Sequence, residues 1–171
     1  GDEKIGGVRI SSAGRVVYPD AGLTKGDVAR HYETVAERML EYAADRPVSL
    51  LRCPEGIEGE SFFQKHAGKG FPEAVKSMPV EEKDGGTEDY IYIAAPEGLL
   101  GAAQMGTIEF HIWGAARDRI ERPDRMVFDL DPEQMYSETL ELRLDTDNLP
   151  ELVECDVNDN TLRFEVPVCD G

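Results

Sequence analysis

The stretch Arg122-Pro123-Asp124-Arg125-Met126-Val127-Phe128-Asp129-Leu130-Asp131-Pro132 reads as a buried strand that ends in two carboxylates two residues apart. Residues i and i+2 of a strand share a face, so Asp129 and Asp131 point the same way while Leu130 points into the core. Two carboxylates on one face repel unless something positive lies between them. A divalent cation, Mg²⁺ or Mn²⁺, meets that need through oxygen ligands. Phosphoryl and nucleotidyl transfer use such a pair to hold metals over a triphosphate. An Asp-x-Asp alone is far more often the solvated end of a strand than a metal site. The apolar run Met126-Val127-Phe128 before the pair and Pro132 after it argue for the mouth of a buried strand. A second pair, Asp145-Thr146-Asp147, sits beside Asn148 and before Pro150 and reads as a turn.

Outward from this stretch, short extended pieces open the chain at Gly7–Ser11 and Arg15–Pro19. Thr24-Lys25-Gly26-Asp27 has the form of a capping box, with Asp27 in place of the usual Glu. Val28, Tyr32, Val35, Met39 and Tyr42 then recur at three- and four-residue steps, which predicts a helix with one apolar face, closed by Asp45-Arg46-Pro47. Strands are expected at 48–54, Tyr90–Ile93 and Thr107–Trp113, and a short helix at Pro96–Met105. The polar span Glu81–Glu88 reads as a turn or mobile loop. Beyond Pro132, alternation in Leu140, Leu142 and Leu144, in Val153, Cys155 and Val157, and in Leu162, Phe164, Val166 and Val168 predicts antiparallel strands, with a hairpin turn at Asn158-Asp159-Asn160.

The 171 residues suggest one domain, or one and a fraction. No apolar run is long enough for a membrane span, and no signal peptide opens the chain. Three widely spaced cysteines, Cys53, Cys155 and Cys169, argue against a disulfide framework or a zinc site and fit a reducing cytoplasm. The formal net charge is −17, from 18 Lys+Arg against 35 Asp+Glu, which is not the footprint of a general nucleic-acid binder. It is uneven: from Asp131 onward twelve acids face two bases, a net of −10, and the first 130 residues carry sixteen bases and twenty-three acids, a net of −7.

Four ordered pieces carry a family resemblance: Arg15-Val16-Val17-Tyr18-Pro19 with Gly22-Leu23-Thr24-Lys25; Arg46-Pro47 through Leu51-Arg52-Cys53-Pro54-Glu55-Gly56; Phe62-Phe63-Gln64-Lys65-His66-Ala67 with Lys69-Gly70; and Glu109-Phe110-His111-Ile112-Trp113 leading to the opening stretch. In these the chain resembles the polymerase domain of bacterial and archaeal ligase D, the end-joining branch of the archaeo-eukaryotic primases, over residues 8–132. The resemblance implies that Arg15 and Lys25 hold the 5′-phosphate of a DNA strand at a break. Read without it, they are a surface arginine and a lysine in a helix's first turn. It implies that Phe62 and Phe63 stack on template bases, although one of the two is equally a core aromatic. It places His111 beside the active site, where the bare sequence gives a histidine satisfied within a strand. Lys65 and Lys69 become candidate phosphate contacts, and His66 stays ambiguous. Asp129 and Asp131 match the first catalytic motif, with Mn²⁺ or Mg²⁺ as cofactor, an NTP or dNTP as substrate, and a ligase or end-binding protein as a possible partner. The implied location is cytoplasmic and nucleoid-associated, with no membrane contact.

The expected fold is α/β or α+β, a mixed or antiparallel primase-polymerase-like sheet with packed helices, over 8–132, followed by an acidic β-rich tail over 133–171. The family's next motifs, a Ser-x-His contacting the nucleotide and a third metal-binding Asp, are not found; no histidine follows His111. Three functions remain open: an end-joining nucleotidyltransferase, a non-catalytic module binding 5′-phosphorylated ends, and an acidic protein-interaction domain. The lysine-poor, acidic balance also fits a protein adapted to high salt, where screening removes self-repulsion. On that reading the thermal unfolding midpoint rises between dilute buffer and molar KCl, followed by circular dichroism; equal midpoints would discard it.

Overall fold

Residues 1–81, 85–125, 139–143 and 161–165 are described by the computed structural model of the chain. The chain divides into two compact units, Gly1–Val127 and Phe128–Gly171. In the first, β1 (Glu3–Ile5) and β2 (Val8–Ile10) form a hairpin, and β3 (Val16–Tyr18) pairs with β4 (Leu23–Thr24). Helix α1 (Lys25–Ala43) follows, then β5 (Val48–Arg52), β6 (Phe62–Gln64), β7 (Lys76–Glu81), β8 (Thr87–Tyr92), α2 (Pro96–Gln104) and β9 (Thr107–Ile112). In the second unit β10 (Thr139–Arg143) pairs with β11 (Thr161–Glu165). Every described strand pairing is antiparallel, so the fold is the expected α+β type. No helix among the described residues is long and apolar enough to cross a membrane.

The start of α1 follows from four residues. Thr24 Oγ1 accepts from the Asp27 backbone N–H at 3.3 Å, and Asp27 Oδ2 accepts from the Thr24 N–H at 2.8 Å. Two of the helix's orphan donors are thereby satisfied. The helix buries a seam of small residues around one ring: Ala29, Tyr32, Ala36 and Ala43. This differs from the apolar face read in the sequence. Val28, Val35 and Met39 flank the seam half-buried, while Tyr42 is 50 % exposed and stacks beneath the Arg38 and Arg125 guanidiniums. Small side chains let α1 approach α2 closely, and a hydrophobicity pattern gives alanine too little weight to reveal it.

The core lies between these helices and the sheet ordered β6-β5-β9. Val48 faces Ile112 and Leu50 faces Phe110 across β5 and β9. Val48 and Leu50 are buried with Ile91, Ile93, Leu99 and Leu100. Tyr32 meets the edge of Phe110 at 5.1 Å and donates its hydroxyl proton to the Ile108 carbonyl at 2.6 Å. Burial pushes its phenol up to about 12. After α2 the chain reverses at Gly106, φ +79°, where an added Cβ would lie 3.0 Å from Pro54 Cα. Only glycine takes both that conformation and that approach. The span Glu81–Glu88, read as a turn or mobile loop, joins β7 to β8, with Glu81 closing the one and Thr87 and Glu88 opening the other; residues 82–84 lie outside the described residues. The described partner of Thr161–Glu165 is Thr139–Arg143, with Leu140 opposite Phe164 and Leu142 opposite Leu162; the expected strand at 153–157 and turn at 158–160 lie outside the described residues.

Asp27 titrates at about 2, held down first by its bonds with Thr24 and then by Arg30. A folded value below the unfolded 3.8 means that the contribution is complete above 3.8 and is lost as pH falls through about 2. Asp27→Asn is expected to lower the thermal midpoint at neutral pH and to flatten its decline across that acid window, measured by circular dichroism melts at stepped pH.

Candidate functional site

Strand alternation gives the β6-β5-β9 sheet an open face. Phe63, Leu51 and Glu109 line up across its three strands, with Ser49 opposite His111 one step along. His111 Nε2 lies 2.7 Å from Glu109 Oε2, and the Phe63 ring, 61 % exposed, meets the imidazole edge-on at 5.0 Å. Phe62 does not share this face. It sits opposite Arg52, whose guanidinium lies over the Phe62 ring at 5.1 Å and over Phe71 at 5.3 Å. Neighbours in a strand point to opposite sides, so the Phe62-Phe63 pair is divided between two surfaces. Both rings are exposed, and neither is a core residue. Lys65 donates from Nζ to the Tyr90 hydroxyl at 2.8 Å, and His66 bridges the Asp89 carbonyl and the Glu88 carboxylate, each at 2.8 Å. These basic groups are tied to the β7–β8 hairpin.

The two cations assigned together from the sequence converge at the start of α1. The Lys25 backbone N–H donates to the Arg15 carbonyl at 2.8 Å, and Gly26 N–H to the Ala13 carbonyl at 2.8 Å. The Arg15 side chain is 40 % exposed and donates to the Pro54 carbonyl and, at 3.3 Å, to Glu55 Oε1. Lys25 is not a surface lysine: it is 9 % exposed. Its Nζ donates to the Ser11 carbonyl and to Gln104 Oε1, both at 2.9 Å. Burial first, and then the charge of Arg15, hold its ammonium below the usual lysine range. The charge of Arg15 thus adds to the cost of the desolvated Lys25 ammonium, while the Arg15 guanidinium itself faces Glu55.

The third feature is how the chain approaches the Asp pair. Asp124 accepts from Arg46 Nη2 at 2.7 Å and from Arg119 Nη2 at 3.0 Å, and the Arg46 side chain is only 7 % exposed. The Arg46 guanidinium, more than Arg119 or Arg125, holds the Asp124 carboxyl below its usual range. Arg125 donates to the Tyr42 carbonyl at 2.6 Å, and the Asp124 and Arg125 N–H groups both donate to the Gly114 carbonyl. Asp124 is thus a structural anchor just ahead of the pair in sequence. Asp129 and Asp131 themselves lie outside the described residues, as do Cys155 and Cys169. Among the described residues no three of His, Cys, Asp or Glu converge to hold a metal ion.

Sequence reasoning missed two residues that shape this geometry. Glu109 obeys the same i, i+2 rule as Asp129 and Asp131 and was open to the same argument through His111. Gln104 gave no local signal, since it meets Lys25 only through the packing of α2 against α1. A cavity of about 450 Å³ between β3, β4, α1 and β9, lined by Tyr18, Leu23, Val28, His31, Tyr32 and Ile108, holds none of the site residues expected from the sequence.

Residues 24–149 match the family model described as LigD, primase-polymerase domain. The chain is 44 % identical over 128 residues to the multifunctional non-homologous end joining protein LigD of Pseudomonas aeruginosa, covering 74 % of this chain and 15 % of that protein. It is 34 % identical over 134 residues to LigD of Mycolicibacterium smegmatis, covering 77 % and 18 %. It therefore spans less than a fifth of either relative. Among solved structures it resembles the polymerase domain from Mycobacterium tuberculosis ligase D in complex with DNA, at 33 % identity and a TM-score of 0.58, over 66 % of this chain and 38 % of that one.

Asp124→Asn leaves the buried Arg46 without its countercharge. The unfolding midpoint is expected to fall, and in a double-mutant cycle with Arg46→Gln the combined loss should be smaller than the sum of the single losses. Additive losses would mean that the pair is not coupled.

Proposed function

Because this chain belongs to the LigD primase-polymerase family, we propose that it works on 5′-phosphorylated DNA breaks in non-homologous end joining, and that its reaction is nucleotidyl transfer from an NTP or dNTP to the 3′-hydroxyl at the break. The observation that carries this reading is the convergence of Arg15 and Lys25 at the first turn of α1. The guanidinium offers forked donors and the ammonium a point charge, which together suit a terminal phosphate. Phe63, with its exposed ring, offers a stacking surface to a template base, a contact that tolerates any sequence. His111 and Glu109 supply polar groups beside it.

Asp129 and Asp131 are the proposed ligands of Mg²⁺ or Mn²⁺; their carboxylate oxygens match a hard cation. The bound ion would neutralise the triphosphate and acidify the attacking hydroxyl. The chain is acidic overall, so its hold on DNA is local, through these cations, and weakens with salt. A ligase or end-binding protein is the proposed partner. End binding without catalysis is the second reading, since the meeting of Arg15 and Lys25 at the start of α1 does not involve the Asp129 and Asp131 pair.

The test is Mn²⁺-dependent ribonucleotide addition to a gapped duplex bearing a 5′-phosphate. Addition that disappears in Asp129→Ala and in Asp131→Ala supports the transferase. No addition, with 5′-phosphate-dependent binding intact, supports the second reading. Arg15→Ala with Lys25→Ala should weaken binding of 5′-phosphate DNA roughly a hundredfold, the loss of two charge-assisted contacts of ~1.5 kcal/mol each. If 5′-phosphate and 5′-hydroxyl ends bind alike before and after, the pocket assignment falls.

A further inference from the structure

We propose that Gln104 is a positioning residue of the 5′-phosphate site, fixing the Lys25 ammonium with a neutral oxygen so that its whole charge stays available to the phosphate. The inference rests on the phosphate reading of Arg15 and Lys25 given above. Gln104 Oε1 accepts from Lys25 Nζ at 2.9 Å and from the Ser11 backbone N–H at 2.7 Å, while its Nε2 donates to Ser11 Oγ at 2.7 Å. The amide has one possible orientation. Both Lys25 Nζ and the Ser11 N–H can only donate, so a flipped amide would set donor against donor. Ser11 adds its own carbonyl to Lys25 at 2.9 Å. An ammonium has three donors, and these two bonds leave one for a ligand.

The described acceptors of Lys25 are neutral oxygens, as are those of Arg52, which donates to the Met105 carbonyl and to Gln64 Oε1. Elsewhere in the described residues Arg9, Arg30, Arg46 and Arg117 each face a carboxylate, at 2.5, 2.6, 2.7 and 2.8 Å. Lys25 is more buried than three of these and almost as buried as Arg46, yet its two described acceptors are neutral oxygens. A glutamate would occupy nearly the same volume at 104 and would give the buried ammonium an ion pair. It would also cancel the charge that an incoming phosphate has to meet. A neutral acceptor orients Lys25 without neutralising it.

The experiment compares affinities of the full 171-residue chain for gapped duplexes bearing a 5′-phosphate or a 5′-hydroxyl, by fluorescence anisotropy. The readout is the phosphate-to-hydroxyl affinity ratio. Lys25→Ala should bring the ratio towards one. Gln104→Glu should lower it roughly tenfold, the scale of one charge-assisted contact. A glutamate keeps an acceptor for both Lys25 and Ser11, so a merely structural role for Gln104 would leave the ratio in place. If Gln104→Glu does not fold, judged by its circular dichroism, Gln104→Met replaces it; this neutral side chain of similar size frees the ammonium and should also lower the ratio. A wild-type ratio in whichever variant folds, with Lys25→Ala still defective, overturns the role of Gln104 and leaves the phosphate site standing. A wild-type ratio in Lys25→Ala removes the phosphate reading itself, and the inference with it.

Discussion

A buried ammonium is the constraint on which much of the first unit turns. Lys25 is the first residue of α1, and its side chain reaches the Ser11 carbonyl just after β2 and the Gln104 amide at the end of α2. Taking that charge out of water is costly unless its donors are bonded. The end of β2, the start of α1 and the end of α2 must therefore meet at one point. The capping box of Thr24 and Asp27 and the bond from Gly26 N–H to the Ala13 carbonyl close the same knot from the backbone side.

The lysine also stores free energy. Its folded-state proton affinity lies below that of an ordinary lysine, because of burial and of Arg15. Between the folded and unfolded values the unfolded chain binds more protons, so stability rises with pH there, and at neutral pH the full cost of the charge is carried by the fold. On the proposed reading, a phosphate bound against Arg15 and Lys25 relieves that cost.

The sheet imposes a second order. With Val48 and Leu50 committed to the core, Ser49 and Leu51 must face outward, and the register then brings Phe63, Glu109 and His111 to the same side. The outward face is available for recognition because the inward face alone supplies the packing. Asp124, bonded to a buried Arg46, fixes the chain just before the carboxylate pair and shows a carboxylate of the opening stretch used for structure rather than chemistry.

The sequence by itself determined the helix at 25–43, because a reciprocal cap and a 3.6-residue period are local properties of consecutive residues. It also determined most strands by their alternation, and the family by ordered motifs from Arg15 to Pro132. It did not reveal β1 or β6, whose residues are largely exposed, the two-residue β4, or β7, whose pattern around Pro79 carries little apolar alternation. Only the tertiary structure decided that Lys25 is buried, that its partners are Ser11 and Gln104, that Ala29, Ala36 and Ala43 rather than Tyr42 line the helix seam, and that Phe62 and Phe63 serve different surfaces. The physical reason is common to all four. Each depends on which distant segment packs against the residue, as Gln104 does against Lys25 across 79 positions, and not only on the residues on either side.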